Sequence, residues 1–221
     1  MGLNVIMMGP PGAGKGTQAE RFARGRGLPT ISTGDILREV VRDHGPLAAA
    51  AKAQMDRGGL VDDETMTAIV RERLCRADAD RGFVLDGFPR TVAQARVLDR
   101  IMNERGKGPL IVVDVVVPEE ELVKRLASRR ICSSCGKNAE PADSGQTCGK
   151  CGGELIQRVD DDQQVVLERL KVYTNSTKPV LEYYRGRTTF RVVNGAQPPD
   201  RVARDLDAAI DEAAMEKAEQ S

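Results

Sequence analysis

Histidine occurs once in this sequence, tryptophan is absent, and aromatic residues make up only 3% of the chain. A nucleic-acid-binding surface of aromatics stacked on bases is therefore poorly supplied. Charge of one sign is also missing, since 33 Lys and Arg are matched by 33 Asp and Glu. With no global basic field to draw nucleic acid or an anionic membrane, any basic site must be local. Long apolar runs are lacking as well. Leu3 to Met8 is far too short to cross a bilayer and leads straight into a Gly/Pro turn with no cleavage-like sequence. Ile6 stands where a myristoylation signal beginning at Gly2 would need Ser or Thr. A cytoplasmic protein with neither membrane nor nucleic acid as partner is expected.

What is present suits one globular domain with insertions: 221 residues, 40% hydrophobic and 30% charged. The runs at 3–8, 29–32, 82–86, 110–117 and 190–193 read as strands, several of them apolar on both faces, as in a parallel sheet covered by helices. Between them TMTAIVRERL, TVAQARVLDRIM and PEEELVKRLASR carry apolar residues at helical spacing, with Pro118 suited to a first helical turn. The alternation predicts an α/β fold. Two segments interrupt it. Ser32 to Val61 reads as mostly helical, and Arg129 to Asp161 is rich in Gly and Cys. The C-terminal AAIDEAAMEKAEQS reads as an end helix that frays into solvent.

The first strand runs into GPPGAGKGT and then the helical TQAERFAR. Strand, glycine-rich loop and helix in that order make a phosphate cradle. Glycines let backbone N–H groups crowd around phosphate oxygens, the helix start adds its positive dipole end, and Lys15 adds a point charge. Gly16 occupies the place where the general pattern has a metal-binding Ser or Thr, and the nearest hydroxyl is Thr17. A metal held mostly by nucleotide phosphates and waters is therefore expected.

Cys132, Cys135, Cys148 and Cys151 form two CxxC pairs flanking a Gly-rich span. Two such knuckles make a closed tetrahedral thiolate site of the structural zinc type, with no open position for a substrate water. Iron or cobalt suits the same thiolates, and disulfides are the alternative, though a reducing cytoplasm disfavours them. A segment of about thirty residues buries too little core to hold itself, so a metal would replace that core. Cys75 is spare.

GPPGAGKGTQAERFA, ISTGDILRE, GFVLDGFPRT and RVDDDQQVVLERL, in this order, resemble the adenylate kinases of the long-lid bacterial type, from Asn4 to about Asp207. The resemblance implies a P-loop NTPase-type parallel five-stranded sheet flanked by helices, with two inserted mobile subdomains. The core would comprise 1–31, 62–127 and 162–221, the AMP-binding insertion 32–61, and the zinc-binding lid 128–161. It implies reversible phosphoryl transfer from Mg-ATP to AMP giving two ADP, by a monomer. Lys15, Arg90, Arg129, Arg158 and Arg169 would be catalytic. ATP would meet Gly12, Gly14, Lys15, Gly16, Thr17, Arg125, Arg129 and Gln197, with Arg125 stacked on the adenine. AMP would meet Thr33, Arg38, Leu60, Val61, Gly87, Arg90, Gln94, Arg158 and Arg169, with Thr33 and Gln94 at the base and Arg38 at the phosphate. Asp86 would orient Mg²⁺ through water. Asp160 and Asp161 would pair with the lid arginines.

The lid departs from the commonest long form. Its inter-knuckle span is short, and Asn138 and Ala139 replace a Tyr-His pair. No general base stands out, and the single histidine, His44, reads as a loop residue. The nearest rival is a kinase taking UMP or CMP, which would share these loops and arginines; a GTP-using donor site and a zinc-knuckle nucleic-acid-binding ATPase are further alternatives.

Overall fold

The computed structural model of the chain describes residues 2–42, 48–139, 145–158 and 161–219, with side chains as far as 216. His44 and Asp160 lie outside these residues.

Five parallel strands form the central sheet: β1 (Leu3–Met8), β2 (Thr30–Ser32), β3 (Gly82–Asp86), β4 (Ile111–Val116) and, numbered last because it comes last in the chain, β7 (Phe190–Asn194), in the spatial order β2-β3-β1-β4-β7. Ile6 pairs with Leu85 on one side and Val112 on the other, so β1 lies at the centre. Alternation along the strands divides the core in two. Ile6, Leu85 and Val112 face one apolar layer with Leu98, Ile101 and Tyr184. Val5, Met7, Val113 and Val115 face the other with Phe22, Leu206 and Ile210. Apolar residues on both faces require cover on both, which explains why β1 and β4 read as nearly continuous hydrophobic runs.

The helices supply that cover: α1 (Lys15–Arg26), α4 (Asp63–Leu74), α5 (Val92–Glu104), α6 (Glu119–Ser128), α8 (Lys178–Arg185) and α9 (Pro199–Glu219). Thr91 caps α5 by accepting from the Gln94 N–H, and Pro118 precedes α6 at its cap position, one residue earlier than its sequence suggests. The helix α7 (Gln163–Val172) continues through a π-helical turn, Tyr173–Thr177, into α8.

Two excursions leave this frame. Between β2 and α4 lie α2 (Thr33–Arg42) and α3 (Ala48–Asp56), packed on each other. Between α6 and α7 lies the antiparallel pair β5 (Arg130–Cys132) and β6 (Leu155–Gln157). Among the described residues of that second excursion the buried cluster is Cys132, Cys148 and Leu155, with Ala139 packed against them. All five strands of the main sheet are parallel, so their C-terminal ends share one edge. The connections leaving that edge form the crevice where such sheets take ligands.

Candidate active site

At that edge β1 hands over to the glycine loop, and Gly14, in the left-handed conformation at φ 86°, caps α1. Lys15 folds back so that its Nζ donates to Pro10 O at 2.7 Å. Burial pushes Lys15 down from the ordinary lysine range to about 8; Asp86 opposes this, while Arg90, Arg169 and Arg129 add like-charge repulsion. The glycine at position 16 has a spatial cause. A β-carbon there would stand 3.1 Å from Asp86 Oδ2, so a Ser or Thr would crowd the carboxylate ending β3.

A cavity of about 710 Å³ opens over this loop. Gly12, Gly14, Lys15, Gly16 and Thr17 line it together with Asp86, Gly87 and Arg90 and with Arg125, Arg129, Arg158 and Arg169. Ten Lys and Arg residues line it against four Asp and Glu. Such an excess in a chain of zero net charge marks a site for a polyanion. Gln197 lines neither this cavity nor its neighbour; its Nε2 donates to Asn194 O and Asp205 Oδ2 at 3.0 and 2.9 Å. Close by in sequence, Gly195 O accepts from Arg125 Nη1 at 3.0 Å, while Arg125 Nε donates to Glu121 at 2.9 Å.

A second cavity of about 70 Å³ adjoins the first, lined by Thr33, Leu60, Val61, Met66 and Gln94 among others. Arg38, Arg90 and Arg169 line both cavities. Thr33 donates from Oγ1 to Gly87 O at 2.8 Å, and Gly87, at φ 82°, would bring any β-carbon within 2.7 Å of that hydroxyl. The start of α2 is capped by Ser32, whose Oγ accepts from the Asp35 N–H. Arg38 donates to Asp35 Oδ1 at 2.5 Å, and Arg90 Nε donates to Gly87 O at 2.9 Å. Gln94 accepts from the Arg90 N–H and donates to Asp63, each at 2.7 Å.

One fully buried carboxylate ties the arginine at the end of α6 to one in α7. Asp161 accepts from Arg129 Nε at 2.7 Å, from Arg129 Nη2, and from Arg169 Nη1 at 3.2 Å. Arg158 instead donates to Asn138 Oδ1 at 2.9 Å. Sequence reading overlooked Asp63 and Tyr173, the latter lining the larger cavity, and gave Asn138 no partner. Asp63 stands in an acidic helix start and Tyr173 in a helix continuation, and neither pattern by itself signals a site.

The four knuckle sulfurs lie within 4.8 Å of one another, with Cys132–Cys151 at 3.4 Å and Cys135–Cys148 at 3.8 Å. All four are free thiols. Thiolates about 2.3 Å from a tetrahedral ion stand about 3.8 Å apart, so the cluster has the dimensions of a metal site. The Cys135 N–H points at Cys132 Sγ from 3.5 Å, and this contact leads in pulling that thiol down to about 6. Backbone donors thus favour the thiolate a metal requires.

A glycine loop at a helix start, a polyanion cavity and a smaller cavity sharing its arginines define a P-loop enzyme that moves phosphoryl groups between two ligands. The family model described as adenylate kinase matches residues 7–189. The chain is 46% identical over 213 residues to the adenylate kinase of Archaeoglobus fulgidus, covering 95% of this chain and 98% of that one. It is also 46% identical to the adenylate kinases of Geobacillus sp., with 92% of this chain and 96% of that one covered, and of Thermosipho africanus, with 92% and 97%. The chain belongs to the adenylate kinase family, nucleoside monophosphate kinases that move a phosphoryl group between adenine nucleotides with AMP as acceptor.

The depressed lysine gives a pH signature. Between about 8 and 10.5 the unfolded chain holds the Lys15 proton and the folded chain does not, so this group makes stability rise with pH across that window. Phosphates should restore the proton. At pH 8.5, calorimetry in buffers of different ionisation enthalpy is expected to show Mg-ATP binding with uptake of most of one proton, lost in Lys15→Met and nearly absent at pH 6.5. Equal uptake at both pH values would contradict this assignment.

Proposed function

We propose that the larger cavity takes Mg-ATP and the smaller one AMP, and that the γ-phosphoryl passes directly between them to give two ADP. The observation that carries this reading is the sharing of Arg38, Arg90 and Arg169 by two adjoining cavities, only one of which contains the glycine loop. The bond from the γ-phosphorus to the β,γ-bridging oxygen breaks as a bond forms to an oxygen of the AMP phosphate. The attacking oxygen is already ionised, so no protein base is required. The protein's task is to align two polyanions and stabilise charge on the migrating group, which arginines do.

In this reading Gly12, Gly14, Lys15, Gly16 and Thr17 hold the ATP phosphates, Arg125 packs on the donor base, and Gln197 borders it through the 194–197 turn. Thr33, Leu60, Val61, Gly87 and Gln94 hold the acceptor nucleoside, with Arg38 on its phosphate. Arg90, Arg129, Arg158 and Arg169 close on the transferring group. Asp86 would hold Mg²⁺ through water, and the ion would supply charge neutralisation to the ATP phosphates. The segments 32–61 and 128–161 act as mobile flaps on the core of 1–31, 62–127 and 162–221, shutting water away from the reactive phosphoryl. The protein works as a cytoplasmic monomer.

The knuckle cluster holds structural zinc, and three buried residues make a core too small to replace it. Treating the protein with a strong chelator is expected to add an early unfolding transition and weaken ATP binding, while the main sheet keeps its far-ultraviolet signal. Unchanged melting and unchanged ATP affinity after verified metal loss would contradict a structural metal.

Acceptor choice is tested by phosphorus NMR with Mg-ATP and AMP, UMP, CMP or GMP in turn. Rapid ADP formation with AMP alone is expected. Preference for UMP or CMP would overturn the reading of Thr33 and Gln94.

A further inference from the structure

Gln94 is 2% exposed and lines the smaller cavity, yet half of its amide is already engaged. Oε1 accepts from the Arg90 backbone N–H and Nε2 donates to Asp63 Oδ1, both at 2.7 Å. The other oxygen of Asp63 accepts from the Thr91 hydroxyl at 2.8 Å, and Thr91 caps the helix that carries Gln94. A backbone N–H can only donate, and both Asp63 oxygens here accept. These two partners therefore fix the orientation of an amide whose oxygen and nitrogen are nearly the same in shape. One N–H and one lone pair of Gln94 remain for a ligand.

Purines divide on this point. A 6-aminopurine presents an exocyclic donor beside a ring acceptor, and a 6-oxopurine presents an acceptor beside a ring donor. An amide held in one orientation suits the first, and the same amide rotated by half a turn suits the second. We propose that Asp63 is a specificity-determining positioning residue: it locks Gln94 unflipped, so that the acceptor cavity favours a 6-aminopurine monophosphate over its 6-oxo counterpart. The inference rests on the reading of the smaller cavity as the acceptor site with Gln94 against the base. Rotating the amide would set Nε2 against the Arg90 N–H and Oε1 against the Asp63 carboxylate, two repulsive pairs created at once. Rejection thus comes from groups left mispaired rather than from lack of space. Asp63 is not needed to start its own helix, because Asp62 caps α4 by accepting from the Thr65 N–H at 2.8 Å.

The test compares AMP with inosine monophosphate, which differ at this edge alone, through the ratio of their kcat/KM values with Mg-ATP as donor. Asp63→Ala is expected to lower that ratio on the order of tenfold, the yield of one orienting hydrogen bond, by raising KM for AMP with no change in KM for ATP. Asp63→Asn, which retains an acceptor for Nε2, is expected to recover most of the loss. Gln94→Ala should lower the ratio at least as far, and adding Asp63→Ala to it should change nothing more. If Asp63→Ala does not fold, Asp63→Ser, whose hydroxyl is too short to reach the amide, carries the same expectations. A ratio within about twofold of the parent in the Asp63 variants, while Gln94→Ala lowers it, would overturn the lock alone. A ratio unmoved by Gln94→Ala would overturn the assignment of Gln94 to the base, and the lock with it.

Discussion

Positive charge packed into one cleft of a neutral protein is the constraint on which the rest of the structure depends. Like charges repel, and burial in a low-dielectric wall strengthens that repulsion, so these cations stay together only if the fold holds them by other means. It does so with few carboxylates. Asp161, wholly enclosed, receives Arg129 and Arg169 at once, and Glu121 and the Gly195 carbonyl hold Arg125. Arg90 leans on the Gly87 carbonyl, and Lys15 on Pro10. Carbonyl anchors orient a cation without neutralising it. The cleft consequently keeps a net positive field for phosphates, and its lysine, lowered chiefly by burial and further by the neighbouring arginines, lies well below the ordinary range.

The parallel sheet makes this crowding possible. Its apolar faces are both covered, so its C-terminal edge is the place where polar groups from several connections can meet. The glycine loop follows β1, Thr33 follows β2, and Asp86 with the Gly87–Arg90 turn closes β3. Three adjacent strand ends therefore line the larger cavity, and the residues following β2 and β3 line the smaller one as well. The remaining arginines arrive from α6, α7 and the β5–β6 excursion. That excursion has almost no apolar core, which is why a cluster of four thiols at metal-site spacing matters to a phosphoryl-transfer site some distance along the chain.

Much of this was legible in the residues. Apolar runs marked β1, β3 and β4 plainly, since a doubly covered strand has no polar face to hide the signal, and the loop after β1 announced a phosphate site. The spatial order β2-β3-β1-β4-β7 was not legible, because nothing in a buried apolar run states which neighbour it takes. Gly16 displaces the hydroxyl of the general loop pattern, and the nearness of Asp86 supplies a spatial reason that the sequence does not show. The π-helical turn at Tyr173 is spelled with ordinary helix residues and left no trace in the periodicity. Asp63 is hidden in the same way: an acidic residue in a first helical turn has a sufficient local explanation, and its bond to Gln94 spans 31 positions. Gln197 shows the converse. The resemblance suggests a nucleotide contact, and the fold turns its amide toward Asn194 and Asp205.

In the proposed mechanism arginine charge, rather than a protein base, lowers the barrier. The most direct measurement is single-turnover phosphoryl transfer from Mg-ATP to AMP by Arg90→Ala, with folding checked by melting temperature. Arg90 lines both cavities, and its loss should slow transfer by a factor on the order of 10² to 10³ or more with the fold intact. A correctly folded Arg90→Ala that transfers at close to the parent rate would contradict the account.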